Sequence, residues 1–470
     1  MNDPAASPTR RHFLKATATA ACTSAALATA GWGLFGPRVS RARSRPKPDS
    51  RAPLRITEIE RHNVLLPLND YNATWLYRCQ GPGIMSRTIF VVKTDTGLEG
   101  YGESLGTTWP PAEELAKYVG TSPFDWVGDT LNLPINMALY DIMGKYLGVP
   151  VWKLIGPRVR SWIPVASWTE PQPPEAMQEE VRQAARRGYH WLKFHVNETQ
   201  DVVDQTEAMQ KVAPPGFKVH YDFNVNSNLE VIYPVLKELE RFPIAARVED
   251  PIAIKDRDGY RILREKLRLS ILIHHGPIEV MVDRLCDGYM AGHAAIGVAM
   301  RAAAVAETTN TPFMLQQGGG AINLAFLAHE VATFKMAVLD HVNLANLWKD
   351  DVTTEGLAVV GGSVAVPQGP GLGVTLDRAK LQKYKNAPKP QPARLLARVK
   401  YKRGLTIFFR HDPEGPNPLG NMRSLSAVKA PGPAPGYRNR VVTDYWEADG
   451  SAEFTRMWER TESGPYWEGR

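Results

Sequence analysis

The stretch covering residues 191–251 restricts the fold more than any other part of the chain. It holds three short apolar runs, Trp191-Leu192-Lys193-Phe194-His195-Val196, Val219-His220-Tyr221-Asp222-Phe223-Asn224 and Ala245-Ala246-Arg247-Val248-Glu249-Asp250-Pro251, each ending in polar groups. Between the last two, residues 228–241 place Leu229, Ile232, Val235, Leu236 and Leu239 at helical rather than alternating spacing. A strand and its helix together take roughly 30 residues, the length of one βα repeat. In a (β/α)8 barrel such strands bring their C-terminal ends to one mouth, so Lys193, His195, Asp222, Asn224 and Glu249 are expected to converge there. Two carboxylates on successive strands suit a hard divalent cation, which prefers oxygen ligands. A lysine and an imidazole on the strand before them suit proton transfer beside that cation.

The rest of the sequence sets limits. A chain of 470 residues with 43% apolar content accommodates two domains and a sizeable core. The formal charge of +7 comes largely from basic residues at the two ends. The middle lacks the clustered Lys/Arg with interleaved aromatics that a nucleic-acid groove requires, so no nucleic-acid partner is expected. Cys22, Cys79 and Cys286 have no metal-type spacing. Cys79 and Cys286 are either one disulfide or, as expected here, two buried thiols.

Near the N-terminus, Thr9-Arg10-Arg11-His12-Phe13-Leu14-Lys15 precedes an Ala/Thr-rich apolar run. A basic segment before a short, weakly apolar one reads as a secretory leader, and the paired arginines resemble a twin-arginine export signal. The apolar run is too short and hydroxyl-rich for a stable membrane span. The expected location is therefore the periplasm, with residues 1–52 as signal and Arg/Pro/Ser-rich linker. Residues 54–66 and 87–103 read as strands, the latter turning at Thr94-Asp95-Thr96-Gly97. Residues 134–147 read as an amphipathic helix closed by Gly148 and Pro150. The barrel is expected to begin at Trp162-Ile163-Pro164-Val165-Ala166. Later strands are expected at 269–273, 280–285, 312–315 and 341–344, and a helix at 294–307. Residues 364–377 read as a loop returning over the small domain, and 401–410 as a strand. Beyond these, only Tyr445, Trp446, Trp458, Tyr466 and Trp467 argue for order in the C-terminal extension.

Several phrases, in this order and spacing, resemble the enolase superfamily in its mandelate racemase and muconate lactonizing enzyme branch. They are Ile56-Thr57-Glu58-Ile59-Glu60, Asp95-Thr96-Gly97-Leu98-Glu99-Gly100-Tyr101-Gly102-Glu103, Ala138-Leu139-Tyr140-Asp141-Ile142-Met143-Gly144-Lys145, Val149-Pro150-Val151-Trp152-Lys153-Leu154-Ile155-Gly156, Val248-Glu249-Asp250-Pro251 and Pro367-Gln368-Gly369-Pro370-Gly371-Leu372-Gly373. The resemblance implies an α/β fold: a modified (β/α)7β TIM barrel over residues 157–385, preceded by an N-terminal α+β capping domain over 53–156. Residues 386–470 are left as an extension of unknown structure. It also implies a bound Mg²⁺, with Mn²⁺ or Zn²⁺ as alternatives, and abstraction of a proton α to a carboxylate.

Carried over residue by residue, the resemblance is uneven. The Lys-x-Lys of the second barrel strand stands here as Lys193-x-His195, and the first two metal carboxylates as Asp222, with Asn224 after it, and Glu249. Where a third acid is expected the chain has His274-His275-Gly276, which brings His275 in as a candidate ligand. Gln316 replaces the histidine expected on the opposite face, and Tyr289 falls near the expected aspartate, making both candidate substrate contacts. The capping loop at 69–85, with Tyr71, Trp75, Tyr77 and Arg78, is where this family sets specificity.

The reading is an exported, metal-dependent lyase, dehydratase or isomerase. It would use one base on a small hydroxy or sugar acid, with no nucleic acid or stable membrane span among its partners and a homo-oligomer left open. The alternative is a degenerate barrel that binds a small acidic ligand without catalysis. A periplasmic scaffold working through the C-terminal tail has only that tail's aromatics behind it.

Overall fold

The computed structural model describes residues 54–80, 86–106, 110–225, 227–388, 394–402, 404–411 and 440–469. The leader with Arg10 and Arg11, and the linker after it, lie outside the described residues. No described helix is long and apolar enough to cross a membrane. Cys79 and Cys286 are buried free thiols.

The chain first forms an antiparallel three-stranded sheet from β1 (Ile56–Leu65), β2 (Ser86–Thr94) and β3 (Glu99–Leu105). Helix Leu133–Leu147 lies against it and ends at Gly148, whose φ of 70° is the left-handed conformation common after a helix. Helix and sheet approach closely because β3 carries glycines at the contact. A Cβ at Gly100 would fall 2.0 Å from the Ala138 carbonyl oxygen, and one at Gly102 would fall 1.8 Å from that of Pro134. The segment at 69–85 is helical over Asp70–Gln80 rather than a loop.

Eight parallel strands follow: β4 (Trp162–Thr169), β5 (Trp191–His195), β6 (Lys218–Asp222), β7 (Ala245–Glu249), β8 (Ser270–Ile273), β9 (Gly288–Gly292), β10 (Phe313–Gln316) and β11 (His341–Val342). They pair in sequence order, and β11 pairs with β4 at His341–Val165 and Val342–Ala166, closing the barrel. Seven helices connect the eight strands, giving the (β/α)7β arrangement. Helix Leu229–Leu239 is typical. Asn228 caps its start by accepting from the Val231 amide, and Ile232, Val235, Leu236 and Leu239 form its buried stripe.

One expected strand is corrected. Residues 280–285 hold a single helical turn, Glu279–Val282, entered from Pro277, and the strand itself comes later, at β9. Val280 and Met281 are adjacent and both buried, so the apolar run marks a packed turn rather than a one-sided strand.

After the barrel, a hairpin of β12 (Val359–Val360) and β13 (Ser363–Ala365) runs antiparallel to the start of β4. The following loop returns over the capping helix, where the Leu372 amide donates to Asp141 Oδ1 at 2.8 Å. The C-terminal extension is folded as well. β14 (Leu395–Tyr401), β15 (Thr406–His411), β16 (Val441–Glu447) and β17 (Tyr466–Glu468) form one antiparallel sheet in the order β16-β14-β15-β17. The strand expected at 401–410 is thus two strands joined by a turn, with Gly404 at φ 97°. Helix Ala452–Arg460 covers one face through Phe454 and Met457, against Leu396 and Phe408. The other face carries Ala397, Val399, Ile407 and Val441.

Candidate active site

Alternate residues along a strand share one face, and in β5, β6 and β7 the inward face is unusually polar. Nearest the N-terminal ends, Arg247 stacks on Trp191 at 3.7 Å and pairs with Asp340 at 2.8 Å. One layer up, the Lys193 ammonium donates to Glu249 Oε1 at 3.0 Å and lies 2.9 Å from both Asp222 Oδ2 and Glu249 Oε2. It also donates to Gln316 Oε1, and the Met290 sulfur lies 3.8 Å away. His220 Nε2 is 2.9 Å from Glu249 Oε2, and His274 Nδ1 is 3.1 Å from Glu249 Oε1. Lys193, Asp222, Glu249 and His220 are each at most 1% exposed.

Charge in this layer is unevenly held. Burial alone would lower the Lys193 ammonium, but Asp222 and Glu249 carry it above its usual value. Burial would likewise raise Glu249, yet Lys193 and the adjacent His220 and His274 rings hold it well below the ordinary carboxylate range. Asp222 moves the other way, raised by burial and by the charge on Glu249. Burial pushes His220 down to about 4, which keeps that imidazole neutral.

The mouth is built on strained turns. Asn224 (φ 50°) and Val225 (55°) follow β6, Asp250 (45°) follows β7 and His293 (49°) follows β9. Left-handed backbone at non-glycine residues tends to gather at functional sites.

Asp222, Glu249 and His274 each offer a ligand atom, all within 4.8 Å of one another. Asp222 Oδ2, Glu249 Oε2 and His274 Nδ1 are buried without an aligned hydrogen bond, despite the short ionic distances above. Two carboxylate oxygens and one imidazole nitrogen make a donor set that fits a divalent ion, with the nitrogen favouring a transition metal more than an all-oxygen set would.

Of the residues expected from sequence, Lys193, His195, Asp222, Glu249 and Gln316 come together. His275 does not reach the Asp222–Glu249 pair. Its side chain is 52% exposed and pairs with Asp250, which raises its pKa; His274 takes the inward place. Asn224 turns back on its own strand, its amide nitrogen donating to the Asp222 backbone oxygen at 3.3 Å and its backbone N–H to Asp222 Oδ1 at 3.0 Å. It buttresses Asp222 and is not among the ligand atoms. Tyr289 is one residue out of register. Its neighbour Met290 touches Lys193, while the Tyr289 hydroxyl donates to the Gly276 oxygen at 3.1 Å. Trp75 and Arg78 of the capping helix are taken up by the C-terminal sheet: Trp75 meets the Tyr445 ring at 5.6 Å, and Arg78 lies over Tyr445 and pairs with Glu447.

Sequence reasoning missed Glu170, His220 and His274. Glu170 stands one residue past β4, which runs three residues beyond its expected end at Ala166. The signal was present in Thr169-Glu170-Pro171, a carboxylate held extended by the following proline.

Comparisons with known proteins agree with this architecture. Residues 176–380 match the family described as Enolase C-terminal domain-like. The chain is 28% identical over 357 residues to D-galactonate dehydratase of Xanthomonas oryzae pv. oryzae, covering 64% of this chain and 92% of the relative. It is 27% identical over 250 residues to N-succinyl-L-Arg/Lys racemase of Bacillus cereus, covering 47% of this chain and 66% of the relative. The crystal structure of the Bacillus cereus N-succinyl Arg/Lys racemase superposes with a TM-score of 0.59 at 22% identity, over 71% of this chain and 98% of that one. The fold is the enolase-superfamily one, a modified (β/α)7β barrel with an N-terminal capping domain.

Proposed function

We propose that this chain is a metal-dependent enzyme that removes the proton α to the carboxylate of a hydroxy or sugar acid, and acts as a one-base lyase or dehydratase. One observation carries the reading: Lys193 and His195, on a single strand, flank the Asp222–Glu249 pair, while across the barrel stands Gln316, an amide that cannot accept a proton near neutrality. The likeness to a D-galactonate dehydratase supports an acid sugar as substrate.

A divalent ion held by Asp222, Glu249 and His274, with Mg²⁺, Mn²⁺ and Zn²⁺ the ions to try, would neutralise charge growing on the substrate carboxylate. The chain's own groups do the rest. His195 Nε2 takes the α-proton. Lys193, kept cationic by its two carboxylates, adds fixed positive charge beside the developing enolate. Gln316 offers its amide to a substrate oxygen. In a dehydratase cycle, the proton held by His195 is the one available to the departing β-hydroxyl, so water leaves and the enol product tautomerises to a keto acid.

The test is formation of a keto acid from a panel of sugar and hydroxy acids, with metal-depleted protein and with added Mg²⁺, Mn²⁺ or Zn²⁺. Turnover that needs the ion and disappears in Asp222→Asn and Glu249→Gln supports the reading.

The non-catalytic alternative has one observation in its favour: the Lys193 ammonium already lies 2.9 Å from each carboxylate and supplies positive charge to both. A protein that takes up no divalent ion and turns over no acid, yet binds one, would fit that alternative.

The proposal extends to export, supported by Thr9-Arg10-Arg11-His12-Phe13-Leu14-Lys15. Replacing Arg10 and Arg11 by lysine should block periplasmic delivery of a fused reporter. Unchanged delivery would exclude a twin-arginine leader.

A further inference from the structure

The two ring nitrogens of His195 have different surroundings. Nδ1 lies 3.2 and 3.1 Å from the two carboxylate oxygens of Glu170. Nε2 faces the metal-ligand side of the barrel, 3.5 Å from Asp222 Oδ2. Glu170 is fully buried, and the Cys79 thiol donates to its Oε2 at 3.7 Å, so the carboxylate is held from the capping side as well. Trp168, two residues before Glu170, sets its ring edge-on to His195, with centroids 5.1 Å apart and planes at 88°. The imidazole is therefore fixed in plane by a carboxylate at one nitrogen and an indole across its face.

A neutral imidazole carries one proton, and the hydrogen bond at one nitrogen decides which nitrogen holds it. A carboxylate can only accept, and Glu170 meets Nδ1 with both oxygens at 3.1 and 3.2 Å, closer than Asp222 comes to Nε2 at 3.5 Å, which favours the proton on Nδ1 and the lone pair on Nε2, facing the site. We propose that Glu170 is a positioning residue that fixes the tautomer and plane of His195, so that Nε2 is the atom that takes the substrate proton. This rests on the reading of His195 as the base. It goes beyond that reading by assigning a role to a residue on the first barrel strand and by naming the reacting nitrogen.

The tautomer can be read without any substrate. Full-length protein with ¹⁵N-labelled histidine, in mildly alkaline buffer where an ordinary histidine is neutral, gives separate signals for protonated and unprotonated ring nitrogens. His195→Asn identifies the His195 pair by its loss. The expected spectrum has the proton on Nδ1, and in Glu170→Leu that proton moves wholly or partly to Nε2. In α-proton exchange, Glu170→Leu should lower kcat by about 10- to 100-fold, the usual effect of removing the partner that orients a catalytic group, with KM nearly unchanged. Glu170→Gln, whose amide oxygen can still accept from Nδ1, should recover part of the rate. A proton on Nε2 in the unaltered protein overturns the proposal even if Glu170→Leu does not fold. So does a His195 signal that is unchanged in Glu170→Leu. The expected tautomer with no exchange of any acid would overturn the proton-abstraction reading and leave the Glu170 assignment standing. Exchange alongside a proton on Nε2 would do the reverse.

Discussion

Gly292, the last residue of β9, lies directly against the His274 ring, and a Cβ built on it would fall 1.8 Å from His274 Nε2. The absence of a side chain there lets the imidazole lean in to Glu249. In Gly292→Ala the ring has to swing away, a cheap movement for the end of a side chain, so the fold should hold while the ligand set loses its nitrogen. Affinity for Mn²⁺ or Zn²⁺ should fall about 10- to 100-fold with the melting temperature little changed, both measurable by titration calorimetry and thermal unfolding. Unchanged affinity would remove His274 from the site. The choice between His274 and His275 also shows where the sequence stops being legible. Neighbouring residues on a strand face opposite sides, so an error of one place exchanges inside for outside. The polar ends of β5, β6 and β7 were readable because the three runs recur at the spacing of a βα repeat. His274-His275 and Tyr289-Met290 offer two adjacent candidates each, and only packing against Glu249 and Lys193 selects between them.

Helix Ala321–Thr333 is buried along nearly its whole length and places Glu330, with no exposed surface, in contact with Gln317, whose side-chain nitrogen donates to Oε2 at 2.6 Å. Burial pushes this carboxyl up to about 8, against the ordinary 4.5. The folded protein therefore keeps a proton that the unfolded chain has released across that window. Its stability should fall as pH rises from about 4.5 to 8, with no contribution below the window and the full penalty above it. Glu330→Gln removes the titration, so its melting temperature should fall less steeply over that range and exceed the unaltered protein's above pH 8. Parallel slopes for the two proteins would show that Glu330 is not the group responsible. Helices such as Leu229–Leu239 and Ile296–Thr309 were legible as elements, from length and apolar content. The one-turn helix Glu279–Val282 and the hairpin of β14 and β15 were not, because a short apolar run has too few residues to show a period and takes its conformation from what it packs on.

At the scale of the whole molecule, the C-terminal sheet is part of the barrel's surroundings rather than a trailing tail. Arg440 pairs with Asp201 and Asp204, the Thr443 hydroxyl donates to the Thr199 oxygen, and the Gln200 amide donates to the Tyr445 hydroxyl at 3.2 Å. All of these partners lie just after β5, the strand that carries Lys193 and His195. None of this docking was legible, since it joins segments more than 230 residues apart through side chains that each read in sequence as ordinary solvated polar groups. Arg440→Glu sets a like charge against Asp201, Asp204 and Glu238, so amide hydrogen exchange should speed up across β16 while the barrel strands keep their protection; equal protection in β16 would mean the sheet is held by its apolar face alone. The central claim is that proton transfer reaches one face of the substrate only. The proposed proton-transfer groups, Lys193 and His195, stand on one strand, with Gln316 opposite. The direct measurement is solvent deuterium incorporation at the α-carbon of paired enantiomers of sugar and hydroxy acids, with divalent ion added. The account predicts incorporation into one enantiomer of an accepted acid, and none with His195→Asn. Incorporation into both enantiomers, or full incorporation with His195→Asn, would contradict it.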